Sequence, residues 1–87
     1  MKIKSGFVLK NIADSYIVVS VGDRVKEFNG VITLNETGVF LWKKLEIGAT
    51  EEELVKALLS EYDVDEATAK NDVASFIGKL TEAKLLK

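Results

Sequence analysis

Residues 28–38, Phe28-Asn29-Gly30-Val31-Ile32-Thr33-Leu34-Asn35-Glu36-Thr37-Gly38, decide how this chain folds. Asn29-Gly30 is a strong hairpin signal, because a type I′ turn needs positive φ at both central residues. Val31–Leu34 follows as a short apolar return strand, and no proline removes a backbone donor from it. Asn35 then offers a side-chain oxygen to a free N–H of a first helical turn, and Glu36 suits the positive end of that helix. Turn, strand and helix start follow one another without slack. The outer edge of this short strand is the best candidate for an interaction.

Upstream, Phe7–Ile12 and Tyr16–Val21 are β-branched and aromatic runs separated by Ala13-Asp14-Ser15, which predicts a hairpin. Gly22-Asp23 reads as a second turn. Arg24–Phe28 alternates imperfectly and reads as a further strand arm before Asn29-Gly30. The sheet therefore has three strands, or four if that arm pairs.

Downstream the period changes to that of helices. Val39, Phe40, Trp42 and Leu45 give the first helix a broad apolar face, and Gly48 fits the positive-φ position after its end. Thr50-Glu51-Glu52-Glu53 is a capping box. The helix it opens places Leu54, Val55, Leu58, Leu59 and Tyr62 on one face. Asp63-Val64-Asp65 breaks it, and Asp65 or Asp63 caps a third helix running to about Leu85. Its inward stripe is Ala69, Val73, Phe76, Ile77 and Leu80. Strands first and helices after predict an α+β domain, with helices two and three forming a helix-turn-helix beside a small sheet.

The 87 residues make one domain, residues 1–87. The hydrophobic share of 47% against 30% charged residues excludes a disordered chain. There is no cysteine and no histidine, which removes disulfides, thiolate chemistry, imidazole acid–base work and zinc sites built on those ligands. No run approaches the length of a membrane span, and Met1–Gly6 lacks the apolar core of a signal peptide. A cytoplasmic location is the expectation.

On a wheel of about 100° per residue, one flank of the third helix carries Thr68, Asp72, Ser75 and Lys79 and reads as solvated. The other carries Lys70, Ala74, Ile77 and Thr81, with Gly78 beside it. Small side chains there would let another backbone lie close to the helix. Spacing alone leaves two readings open: a groove for a second chain, or packing against the domain's own sheet.

Catalytic equipment is missing. Glu51-Glu52-Glu53 belongs to a capping turn, and the serines have no histidine to act as base. Asp63-Val64-Asp65-Glu66 starts like a calcium loop but lacks the glycine at its sixth position and the glutamate at its twelfth. The glycines form no phosphate cradle. Trp42, Phe40 and Phe76 are core aromatics rather than a binding patch. Neither a metal, a cofactor nor an enzymatic activity is expected. A winged-helix nucleic-acid binder is the alternative function that this shape suggests. With net charge −2, one arginine, and Asp65, Glu66 and Asp72 beside Lys70 and Lys79, phosphate neutralisation would be weak.

The strand–helix junction Val31–Gly38, then Phe40-Leu41-Trp42, Thr50–Leu54 and Tyr62-Asp63-Val64-Asp65, resembles the PQQ-biosynthesis protein D family. The resemblance runs from about Gly6 to Leu86. It implies a winged helix-turn-helix fold with a three-stranded sheet and three helices. It implies a non-catalytic module that binds the leader of a ribosomally made precursor peptide and presents it to a modifying enzyme, often a radical SAM maturase. The leader adds as a strand beside the third sheet strand and lies against the third helix. On this sequence those elements are Val31, Ile32, Thr33 and Leu34 with Lys70, Val73, Ala74, Ile77 and Thr81. Neither nucleic acid nor membrane is an expected partner. The expected state is a monomer, or a weak or domain-swapped dimer formed through an unpaired edge.

Overall fold

The computed structural model describes residues 1–22 and 32–87. The expected arm Arg24–Phe28, the Asn29-Gly30 turn and Val31 lie outside the described residues. Strands β1 (Phe7–Ile12), β2 (Ser15–Ser20) and β3 (Ile32–Leu34) precede helices α1 (Glu36–Ile47), α2 (Glu51–Glu61) and α3 (Glu66–Glu82). The strands form an antiparallel sheet in the order β1-β2-β3. Val18 sits at its centre, opposite Leu9 on one side and Ile32 on the other, and is fully buried.

Ile12 pairs with Ser15, so the first hairpin closes through the two residues Ala13-Asp14, and β2 starts one residue before the expected Tyr16. Ala13 has φ 56°, and Asp14 is not in the positive-φ region. That is the pattern of a type II′ turn, whose first central position usually holds glycine.

The core gathers Val39, Leu41, Trp42 and Leu45 from α1, Leu54, Val55 and Leu58 from α2, and Ala69, Val73, Phe76 and Leu80 from α3. Leu41 belongs to it although the spacing reading passed it over. Each large side chain so buried contributes about 1.5–3 kcal/mol of transfer free energy. The indole N–H of Trp42 is buried with no acceptor among the described residues, which costs about 1–3 kcal/mol. Trp42 and Phe76 are core, while Phe40 lies half-buried at the edge of it.

The helix starts follow the caps read from the sequence. Asn35 Oδ1 accepts from Gly38 N–H at 2.8 Å. Thr50 and Glu53 exchange both bonds of the capping box, at 2.8 and 3.1 Å. Asp65, not Asp63, caps α3 by accepting from Thr68 N–H at 2.7 Å.

Gly48 closes α1 at φ 113°, as its position predicts, while the other two helix ends differ in detail. Tyr62 caps α2 in an extended conformation, and Leu59 is exposed rather than buried with the expected face. α3 stops at Glu82, short of Leu85. Lys84 takes φ 63°, its N–H donates to Thr81 O, and Leu85 N–H donates to Leu80 O. These bonds make a Schellman motif, in which the left-handed residue turns the chain off the axis. Leu85 thereby folds back beside Leu80, both fully buried.

The N-terminal segment is tied to the same end of the domain. Ile3 bridges Leu86, Lys4 N–H donates to Leu85 O, and Lys87 N–H donates to Lys2 O.

Candidate peptide-binding site

β3 holds an edge position in the sheet, and among the described residues it pairs with β2 alone. The short strand runs directly into α1. Gly38 leaves that junction uncrowded. A Cβ at this position would sit 3.2 Å from Asn35 Oδ1 and 3.3 Å from Leu34 Cβ, crowding both the helix cap and the strand end.

β3 and the first turn of α1 face α3 across a cleft of about 420 Å³. Leu34, Leu41 and Phe76 supply its apolar surface, and all three are buried. Thr33, Asn35 and Thr37 line one wall, and Asp72, Ser75 and Lys79 line the other. The cleft thus combines an apolar floor, a polar rim and an unshared strand edge, which together suit an extended peptide.

The structure assembles only part of the expected set. Thr33 and Leu34 line this cleft, while Ile32 is half-buried in the sheet. Val31 lies outside the described residues. Val73 is fully buried inside the core. Lys70 and Ala74 line a different groove, of about 910 Å³, between α2 and α3 with Val55 and Leu59. Ile77 is half-buried against the core, and Thr81 is exposed; neither lines the cleft beside β3. Gly78 has open space where a Cβ would point, so it does not pack against the sheet.

The flank across from β3 is therefore the one that reads as solvated. The wheel places two flanks symmetrically about the stripe of Ala69, Val73, Phe76 and Leu80. Which flank faces the strand depends on how α3 is set by its packing on α2, a tertiary property that helical period does not carry. Asp72, Ser75 and Lys79 line the cleft yet read as solvated in the sequence, because a polar cleft wall and a solvated surface have the same composition.

The charges of the two grooves are arranged differently. Beside the α2–α3 groove, Lys56 pairs with Glu52 at 3.4 Å and Lys70 with Glu66 at 3.1 Å. Asp72 and Lys79, on the cleft wall, have no ion-pair partner among the described residues. No group of metal-ligating side chains occurs among the described residues, and no helix there is long and apolar enough to cross a membrane.

Three antiparallel strands followed by three helices, with a cleft between the last strand and the last helix, define an α+β winged helix-turn-helix domain. The family model described as Coenzyme PQQ synthesis protein D (PqqD) matches residues 8–86, and the chain belongs to that family. Two solved structures share the fold. One is TbiB1 in complex with the TbiA(beta) leader peptide, with TM-score 0.78 and 30% identity, covering 100% of this chain and 95% of that one. The other is a lasso peptide synthetase B1 complexed with a leader peptide, with TM-score 0.75 and 19% identity, covering 97% and 93%. At 19% identity the second likeness concerns the fold alone. A comparison with curated proteins gives no significant match.

Proposed function

We propose that this chain is a non-catalytic recognition module that binds the leader segment of a ribosomally made precursor peptide and presents it to a modifying enzyme, with a radical SAM maturase as the first candidate. The observation that carries the reading is the outer edge of β3, unshared among the described residues, beside a cleft with an apolar floor. Family membership and the likeness to TbiB1, a protein seen with a leader peptide bound, support it. The leader would add as a fourth strand along Ile32, Thr33 and Leu34. Backbone bonds would supply affinity, and alternate side chains entering the cleft would supply selectivity. No observation favours the nucleic-acid reading: Lys70, the cation nearest the start of α3, is already paired with Glu66.

The test is a titration with the leader of a precursor encoded beside this chain, followed through backbone amide shifts and the single tryptophan, Trp42. Shifts should concentrate at Ile32, Thr33 and Leu34, and N-methylation of alternate leader amides should abolish binding in one phase only. Ser75→Trp should block the leader and Ala74→Trp should not. The opposite result would move the leader to the flank of Lys70, Ala74, Ile77 and Thr81. Absence of binding by every such leader would remove the reading.

A further inference from the structure

Resting on the strand-addition reading, we propose that Asp72 and Lys79 select a peptide strand carrying one basic and one acidic residue in a fixed order, about three residues apart. Both side chains line the cleft beside β3, on the same wall as Ser75. They are separated by two turns of α3, which at ~1.5 Å per residue is about 10 Å along the axis. That is too far for them to neutralise each other. It matches about three residues of an extended chain at ~3.3 Å per residue.

Both cations of the other groove are paired within the domain. Lys56 and Lys70 are each held by a carboxylate four residues earlier on the same helix. The two cleft charges have no such partner among the described residues. The cleft wall therefore carries a negative site and a positive site, with a hydroxyl between them and apolar surface beneath. A strand with the complementary polarity gains at both sites, and one with reversed polarity is repelled at both. Because β3 fixes where the visiting backbone lies, the charge order also fixes the direction in which it runs. Electrostatic complementarity of this kind sets register and excludes wrong partners more than it adds affinity.

The experiment is selection of a random peptide display library on the whole chain, in parallel with the charge-exchanged variant Asp72→Lys/Lys79→Asp, at low and at moderate salt. Peptides enriched on the natural chain should share one order of opposite charges about three residues apart, and the variant should enrich the reverse order. Transplanting the order in an enriched peptide should change its Kd about five- to tenfold at low salt, and less at higher salt. Asp72→Asn and Lys79→Gln, each of which removes one charge, should each erase one half of the pattern, and they stand in if the exchanged variant does not fold. Enriched peptides without a charge order, or with one the variants leave unchanged, would overturn this proposal and leave peptide binding standing. No enrichment at all would overturn both.

Discussion

The ring of Tyr62 meets that of Phe40 edge-on, with centroids 5.5 Å apart and planes at 85°. Lys44 lies over the other ring at 5.3 Å from its centroid. Tyr62 is the residue at which α2 ends, and Phe40 sits in the middle of α1, so the pair fastens the end of one helix to the flank of the other. Edge-to-face rings attract beyond the area they bury. Phe40→Leu and Tyr62→Leu should each lower Tm, and the double variant should fall short of their sum by several degrees. Strict additivity would mean that the rings are merely neighbours.

Two residues occupy backbone positions that favour glycine. Lys84 at φ 63° closes α3, and Ala13 at φ 56° opens the first hairpin turn. A side chain in the left-handed region costs ~1–2 kcal/mol, while glycine returns part of that through the freedom of the unfolded chain. Lys84→Gly and Ala13→Gly should each raise stability by about 0.5–1 kcal/mol, read as an increase in the denaturant midpoint at unchanged slope.

Gly78 and Gly38 should respond oppositely to alanine. Gly78 faces open space in mid-helix, so Gly78→Ala should stabilise by ~1 kcal/mol through helix propensity and leave leader affinity unchanged. At Gly38 a Cβ would press on Leu34 and on the Asn35 cap at 3.2–3.4 Å. Gly38→Ala should lower Tm and weaken leader binding, because it displaces the strand end that borders the cleft. Thermal melts and a titration of both variants decide this.

Acid should loosen the helix starts. The backbone N–H of Thr50, and then its side chain, hold Glu53 below its ordinary pKa of 4.5. Hydrogen bonding from Thr68, side chain first and backbone N–H second, does the same for Asp65 against 3.8. A carboxylate with a depressed folded pKa adds stability that is complete above the unfolded value and fades as pH falls through the folded one. Stability should therefore decline below about pH 4.5, and Glu53→Gln with Asp65→Asn should flatten that decline. An unchanged acid limb in the double variant would show that other carboxylates carry it.

Much of this architecture is legible in the sequence because its signals are local. Asn35, the Thr50–Glu53 box and Asp65 mark three helix starts through bonds spanning three residues. The end of α3 is less legible than the end of α1 at Gly48: Lys84 adopts a conformation that its residue type disfavours, held by the bonds of Lys84 and Leu85 to the last turn and by the burial of Leu85. The candidate site divides in the same way. Thr33 and Leu34 are found from the strand–helix junction, a sequence-local feature. Asp72, Ser75 and Lys79 face them across the cleft through the placement of α3, which depends on its packing against α2 rather than on local sequence.

The bridge between Ile3 and Leu86 has a consequence for how such a domain is deployed. The two tails leave the body side by side, secured by Lys4 N–H on Leu85 O and Lys87 N–H on Lys2 O, and none of these residues lines the cleft. A catalytic partner spliced onto either terminus would hang from the same point. A short splice joining Lys87 to Met1, with new ends opened at Ala13-Asp14, should yield a circularly permuted domain with the outer edge of β3 undisturbed.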